Sequence, residues 1–253
     1  MPSLFPDLSL LELLLIAVAA TATSVVGGVA GYGTGSLMPL VLVPIVGPEP
    51  VVPIIALSAV FNNGSRVLAF RPHVDPRRAA LILLFSAPTC VLGAWGYTML
   101  TGRGAMIVIG TMMVLSVPLR RTLKSRGFVL TGRGLAAASV GWGVLVGGTT
   151  GAGIVLLSML MAAGLHGAAV IATDAAISTV MGLIKIAVFG WAGVMTAKVI
   201  AVALLIGGAA LPGAFIARRI VDRLPLHVHT AILDAVVIVG GGLMVVGALL
   251  QQV

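Results

Sequence analysis

The sequence predicts an all-α, polytopic membrane protein made of two inverted-topology repeats with glycine-interrupted helices, broken or re-entrant. Composition is the first observation: 59% of the 253 residues are hydrophobic and 9% are charged, with a mean hydropathy of +1.19. A soluble domain carries about 25% charged residues, so a soluble fold is excluded. The second observation is a series of apolar segments along the whole chain, and the third is the similarity of its two halves.

The apolar segments predict about 8–10 membrane segments. In chain order they cover residues 8–27, 32–47, 51–70, 79–100, 104–119, 134–148, 152–164, 168–189, 197–216 and 230–250. A full crossing needs about 20 residues, so the second, sixth and seventh segments are too short to cross comfortably. The first segment is similar to a signal peptide, but Asp7 and Glu12 stand where a basic region is required, so we expect a retained helix.

Basic residues predict the orientation of the chain. Eleven of the fifteen Lys and Arg residues fall in three loops, at 71–78, 120–133 and 218–223. An excess of Lys and Arg marks cytoplasmic loops, so we expect both termini outside a cell (inner) membrane, and the formal charge of +8 needs no nucleic acid partner. Two arrangements satisfy this topology. Either 8–47 and 134–164 are hairpins that enter and return, or every segment crosses.

The two halves share a pattern at a nearly constant spacing. GGVAGYG at 27–33 matches GGTTGAG at 147–153, and Ser58 matches Ser178 at an offset of 120. Similar halves of opposite orientation form an inverted repeat, which is typical of secondary transporters. We therefore predict a first repeat at 1–125 and a second, inverted repeat at 126–253, which together form one transport domain.

The glycine clusters predict two helix breaks that face a shared anion site. A break frees the first amides of the following helix, and these amides favour an anion. The candidate residues are Gly31, Gly33, Thr34, Gly35, Ser36, Thr149, Thr150, Gly151 and Gly153. A dinucleotide fingerprint would need a preceding strand and a downstream acid, and a potassium filter would need four subunits, so both fit poorly. Close packing of small residues between helices stays open as an alternative.

Polar residues at helical spacing extend the predicted site. The first repeat contributes Ser58, Asn62, Asn63, Ser65 and Arg66, and the second contributes Asp174, Ser178, Gly182 and Lys185. We expect Asn62, Asn63, Arg66, Ser178 and Lys185 to bind substrate. Both cations also lie close enough to a helix end to reach the interface instead. Asp174 is a proton-coupling candidate, with pairing to a cation or a plain hydrogen bond as alternatives.

These residues carry a resemblance to a known family. GGVAGYGTGSLMPLVLVPIVG followed by PVVPIIALSAV, its echo from GGTTGAG to TDAAIST, and the Gly-Ala steps at 93–94 and 213–214 resemble the TauE/SafE family of sulfite exporters, also called sulfonate-uptake permeases. The resemblance implies a prokaryotic inner-membrane protein that moves sulfur oxyanions, sulfonates or small organic acids. Asp174 stands where a small Ser or Asn is common in that family.

The prediction that results is a secondary transporter of a small anion that works by alternating access, coupled to the proton gradient or the membrane potential. A channel-like anion pathway and a membrane assembly factor without transport remain alternatives. We expect no catalytic residues, no cofactor and no metal, since the lone Cys90 cannot supply a cysteine-ligated site. The expected partners are the small anion and the lipid bilayer, no nucleic acid is expected, and a homodimer is left open.

Overall fold

The computed structural model describes residues 8–30, 34–125, 129–221 and 226–250, and these are helical almost throughout. The helices are α1 Leu10–Ala30, α2 Thr34–Val46, α3 Val51–Phe70, α4 Pro76–Thr98, α5 Gly102–Ser125, α6 Gly132–Gly148, α7 Gly153–Ala162, α8 Ala168–Trp191, α9 Ala197–Val221 and α10 Leu226–Leu250, with a short 3₁₀ helix at Arg71–His73. Each predicted apolar segment overlaps one helix. The all-α prediction is therefore confirmed.

Apolar helices are the expected result because a helix satisfies its own backbone polar groups inside a bilayer. By length and composition, four stretches of the described chain can cross a membrane: Val51–His73, Pro76–Thr98, Gly102–Leu119 and Ala168–Trp191. Local signals set their ends. Asp75 accepts a hydrogen bond from the Arg78 amide as the N-cap of α4, and Pro76 occupies the first helical position. The chain is a multi-pass membrane protein.

The helix ends lie on two faces of the molecule. At one, the Tyr97 face, the hydroxyl of Tyr97 at the end of α4 donates to the carbonyls of Pro48 and Glu49, which link α2 to α3. At the other, the Asp75 face, the amide of Asp75 at the start of α4 donates to Thr173 Oγ1 near the start of α8. Since α4 has 23 residues, the faces are about 35 Å apart along its axis.

Helices α6 and α7 form a hairpin that returns to the Asp75 face. The amide of Leu130, just before α6, donates to the carbonyl of Ala162 at the end of α7, at 2.8 Å. The start of the hairpin therefore lies beside its end. Two full crossings would return there too, but α7 has 10 residues and is about 15 Å long, whereas the 23 residues of α4 span about 35 Å between the faces. Of the two arrangements compatible with the sequence, the structure therefore adopts the one with hairpins that enter and return.

Helices α1 and α2 form the corresponding hairpin from the Tyr97 face. Thr21 and Ser24 of α1 donate to the carbonyls of Ala209 and Ala210, so α1 runs parallel to α9. The α2–α3 link bonds to Tyr97, which returns α2 to the same face. One hairpin thus enters from each face, as an inverted repeat requires; the division at 125/126 stays a prediction that this geometry supports.

Packing between helices follows the same two-fold pattern. Helix α1 packs on α9 and α6 on α4, while α3 packs on α8 and α5 on α10. Exchanging α1–α5 with α6–α10 leaves this set of pairs unchanged. The α4–α6 contact is very close, because a Cβ on Gly143 would lie 2.4 Å from the Ser86 carbonyl oxygen and one on Gly147 would lie 2.2 Å from that of Cys90. Small residues allow this backbone contact.

Candidate anion site

The two glycine-containing turns meet inside the molecule. The hydroxyl of Thr150 donates a hydrogen bond to the carbonyl of Gly35 in the first turn of α2. A Cβ on Gly35 would lie 3.3 Å from the Gly151 amide nitrogen, and one on Gly151 would lie 3.0 Å from Ser36 Oγ. The sequence predicted that these residues face each other, and the structure brings Gly35, Ser36, Thr150 and Gly151 into direct contact.

The turn between α6 and α7 is built from a few local interactions. Thr149 leaves α6 in an extended conformation, and Gly151 has φ +82°, a left-handed conformation that favours glycine. Trp142 Nε1 donates to the carbonyl of Ala152 at 2.9 Å and ties the turn to α6. Helix α7 then begins at Gly153, and its first amides point towards the turn. The turn is buried, with Thr149 and Thr150 each less than 5% exposed.

Lys185 binds the end of α6. Its Nζ donates to the carbonyl of Val146 at 2.8 Å and to that of Thr149 at 3.0 Å. The side chain is 5% exposed, so it does not reach either interface. A cation suits this place because the last carbonyls of a helix lack intrahelical partners and carry partial negative charge. Lys185 therefore fixes the shape of the glycine turn from α8.

Arg66 and Asp174 form a second polar centre. Arg66 Nη1 lies 3.7 Å from Asp174 Oδ2 and 3.4 Å from Asn63 Oδ1. Asp174 is buried, whereas the side chain of Arg66 is 33% exposed. Of the three predicted possibilities for Asp174, pairing with a cation is the one seen. Since Asp174 and Lys185 are eleven residues apart on α8, the two centres are separated by about 16 Å along that helix.

The remaining predicted residues lie around these two centres. Ser58 is buried and its hydroxyl donates to the carbonyl of Ile55 in its own helix. Asn62 and Ser178 are half-buried, one turn from Arg66 and Asp174 respectively. Thr34 begins α2. Gly31 and Gly33 lie outside the described residues.

One protein family matches nearly the whole of this chain. A family model described as sulfite exporter TauE/SafE matches residues 15–250. The chain belongs to the TauE/SafE family. Neither the curated proteins nor the solved structures contain a match to it. The TauE/SafE match extends over both hairpins and both polar centres, and it assigns the chain to a family of membrane transporters.

A cleft opens on the Tyr97 face of this TauE/SafE protein. It has a volume of about 350 Å³ and lies between the α2–α3 link and the α8–α9 link, with Glu49, Ile54, Val194, Thr196 and Lys198 among its lining residues. A smaller cleft beside it reaches Tyr97 and shares Glu49 and Val194. Both acidic and basic side chains line this opening, so it is polar at its rim.

One contact that fixes the site was missed from the sequence. Trp142 was not among the residues predicted for the site, yet its indole nitrogen holds the turn. An indole N–H inside an apolar segment needs an acceptor, and that requirement was the available signal. Within the described part of the chain, no three His, Cys, Asp or Glu side chains are grouped so as to hold a metal ion.

Proposed function

We propose that this protein is a secondary transporter that moves a small anion by alternating access. Sulfite, a sulfonate or a related organic acid is the substrate class, in keeping with the sulfite exporter family. The observation that carries the proposal is the contact between the two glycine turns at Gly35 and Gly151, where the first turns of α2 and α7 approach each other from opposite halves.

The chemistry of that meeting point suits an anion. Helix N-termini present amides without intrahelical acceptors, and the partial positive charge there favours a negative ligand. The hydroxyls of Ser36, Thr149 and Thr150 are buried close to these amides and supply further donors. Thr150 donates to the Gly35 carbonyl in the present conformation, so its hydroxyl would have to change partner to contact an anion.

The arrangement of the hairpins supports alternating access. One hairpin enters from each face and both tips contact the same point, so a movement of one half against the other would expose the meeting point to one face and then the other. The Tyr97-face cleft would be the opening on one side. The proton gradient or the membrane potential would drive the movement.

The basic residues support an orientation in a cell inner membrane. Arg71, Arg77, Arg78 and Arg133 all lie at helix ends of the Asp75 face. We assign this face to the cytoplasm and the Tyr97 face to the outside, because cytoplasmic loops carry the excess of Lys and Arg. Both termini would then be outside.

Flux measurement in proteoliposomes tests the proposed function. Sulfite, thiosulfate, sulfoacetate and small carboxylates would each be followed with and without a pH gradient and a membrane potential. We expect saturable flux of at least one of them. Thr150→Val, which removes the hydroxyl next to Gly35, should reduce that flux about tenfold or more, as expected for loss of a hydrogen bond to a charged ligand. Thr111→Val, at an exposed position of α5, should not.

Three results would count against the proposal. Flux that rises linearly with driving force and never saturates would favour a channel-like pathway. No flux or binding with any of the anions would favour an assembly factor. Equal flux in wild type, Thr150→Val and Thr111→Val would place the anion away from the glycine turns.

A further inference from the structure

The ion pair between Arg66 and Asp174 is loosely made. The distance of 3.7 Å between Arg66 Nη1 and Asp174 Oδ2 exceeds that of a hydrogen bond, and the same nitrogen lies 3.4 Å from Asn63 Oδ1. A tightly bound guanidinium–carboxylate pair would be bidentate and shorter. The guanidinium is therefore close to a carboxylate without being fully engaged by it.

Asp174 is also incompletely satisfied. Its Oδ1 is buried and has no hydrogen-bond partner among the described residues. Buried polar atoms are nearly always paired, so an exception requires a reason. A buried carboxylate with one weak cation contact is a group that gains a partner, or a proton, when its surroundings change.

The charged surroundings of Asp174 come from a few elements packed on α8. Helix α3 contributes Arg66, and the 3₁₀ helix contributes Arg71 and His73. The start of α4 contributes Asp75, Arg77 and Arg78. Arg133 lies at the start of α6, His166 lies in the α7–α8 link, and α7 carries no charged residue. Arg66 is the cation in contact with the Asp174 carboxylate, and Asp75 contacts Arg78 instead.

The position of Asp174 carries an acidic residue in the second repeat and not in the first. Arg66 and Lys185 occupy matching positions at an offset of 119, but the residues that match Asp174 in the first repeat are Ile54 and Ile55. Each repeat therefore has a cation at this position. The second repeat adds a carboxylate, and that carboxylate contacts the cation of the first repeat. This asymmetry is not needed for packing, since an isoleucine fills the matching position.

We propose that Asp174 is a tethered anion that competes with the transported anion for Arg66, so that each anion bound at Arg66 is accompanied by one proton taken up on Asp174. The inference rests on the proposed anion transport, and it makes Arg66 a second position on the path of the anion, about 16 Å along α8 from the glycine turns. When the anion takes the guanidinium, Asp174 loses its cation and a proton binds the carboxylate. One negative and one positive charge enter together, so anion and proton move in the same direction with no net charge.

Binding of methanesulfonate tests the exchange, because this sulfonate keeps its single charge at every pH used. Calorimetry of the purified protein in two buffers of different ionisation enthalpy gives the number of protons taken up per anion. We expect about one proton per anion while Asp174 is ionised, and an affinity that falls about tenfold for each unit rise in pH over that range.

Two variants separate Asp174 from other carboxylates. Asp174→Asn should bind methanesulfonate with an affinity that no longer depends on pH and without proton uptake. Asp75→Asn removes a carboxylate at the Asp75 face that contacts Arg78 rather than Arg66, and it should behave like wild type. If Asp174→Asn does not fold, the proton count of the wild type decides alone.

The outcomes distinguish the inference from the proposed function. Binding by the wild type without proton uptake, or equal proton uptake in Asp174→Asn, would overturn the exchange and leave anion transport in place. If methanesulfonate does not bind but another anion of the flux panel does, the same proton count on that anion decides. If no anion binds at all, the transport proposal and the exchange both fail.

Discussion

Thr150 of one half donates a hydrogen bond to the carbonyl of Gly35 in the other half, at the tips of both hairpins. Together they join the α6–α7 turn to the first turn of α2. The contact makes the two turns one structural unit, so a change in either turn is expected to affect the other.

Gly151→Ala should reduce both stability and anion flux. The residue has φ +82°, where an L side chain is strained by about 1–2 kcal/mol, and the new Cβ would lie 3.0 Å from Ser36 Oγ. Gly164→Ala is a matched control, because Gly164 has φ +87° and its Cβ would lie 3.8 Å from the nearest atom, Arg78 Nη2. Thermal unfolding should show a loss of stability in both variants, and flux should fall only in Gly151→Ala. Unchanged flux in Gly151→Ala would contradict a role of this turn in transport.

Lys185→Met should destabilise the protein by about 2–3 kcal/mol. The change removes two charge-assisted hydrogen bonds and leaves the buried carbonyls of Val146 and Thr149 without a donor. Arg103→Met, at an exposed position near the start of α5, should change stability by less than about 0.5 kcal/mol. Unfolding by denaturant in detergent micelles measures both. A loss of flux in Lys185→Met without any loss of stability would show instead that the ammonium contacts the anion.

Asp75→Ala should destabilise α4 at neutral pH and less so in acid. The Arg78 amide that donates to Asp75 lowers the pKa of this carboxyl, with the Arg78 side chain adding to the effect. A carboxyl whose pKa is lowered on folding adds stability above its unfolded pKa of about 3.9, and that stability is lost as the pH falls through the folded value. The melting temperatures of wild type and Asp75→Ala should therefore converge below about pH 4.

Asp75→Asn is the control for that experiment, because asparagine also caps helices well. At neutral pH it should lie closer to wild type than Asp75→Ala does. A constant difference between wild type and Asp75→Ala down to the lowest pH would show that the carboxyl charge is not what stabilises α4.

Cysteine labelling should place the two faces on opposite sides of the membrane. In a Cys90→Ala background, Val129→Cys reports the Asp75 face and Thr196→Cys the Tyr97 face, since both residues are exposed between helices. A membrane-impermeant maleimide added to intact cells should label position 196 and reach position 129 only after the membrane is opened. The reverse pattern would invert the proposed orientation, and labelling of both positions in intact cells would contradict the two-faced arrangement.

Much of this fold was predictable from the sequence because a chain that spans a bilayer has few alternatives to helices. The predicted segment 51–70 coincides with α3, and 168–189 differs from α8 by two residues. The hairpins were one of two arrangements that charge alone allowed, because crossing parity is the same in both. The contact between Thr150 and Gly35 decides between them, because full crossings would put the two turns on opposite faces, and no sequence pattern reports a contact between residues 115 positions apart.

The sequence indicated which residues are candidates for the site, but it did not indicate how these residues contact one another. Thr150 and Gly35 were grouped because the glycine clusters match between the halves, and the structure brings them into contact; their role in binding an anion stays a prediction. Lys185 was grouped with them for its charge, but its bonds to the α6 carbonyls depend on how α8 crosses α6. Arg66 and Asp174 were placed on different stripes, and only the antiparallel packing of α3 on α8 brings them together.

The crossed packing of the hairpins has a consequence for the origin of the chain. Helix α1 packs mainly on α9, and α6 packs mainly on α4. Each half therefore provides a packing partner for a helix of the other half. Neither half has a complete set of partners alone. A polypeptide of half this length, inserted in both orientations, would satisfy the same contacts as a homodimer. Duplication and fusion of such a gene would fix one copy in each orientation and allow a residue such as Asp174 to arise on one side only.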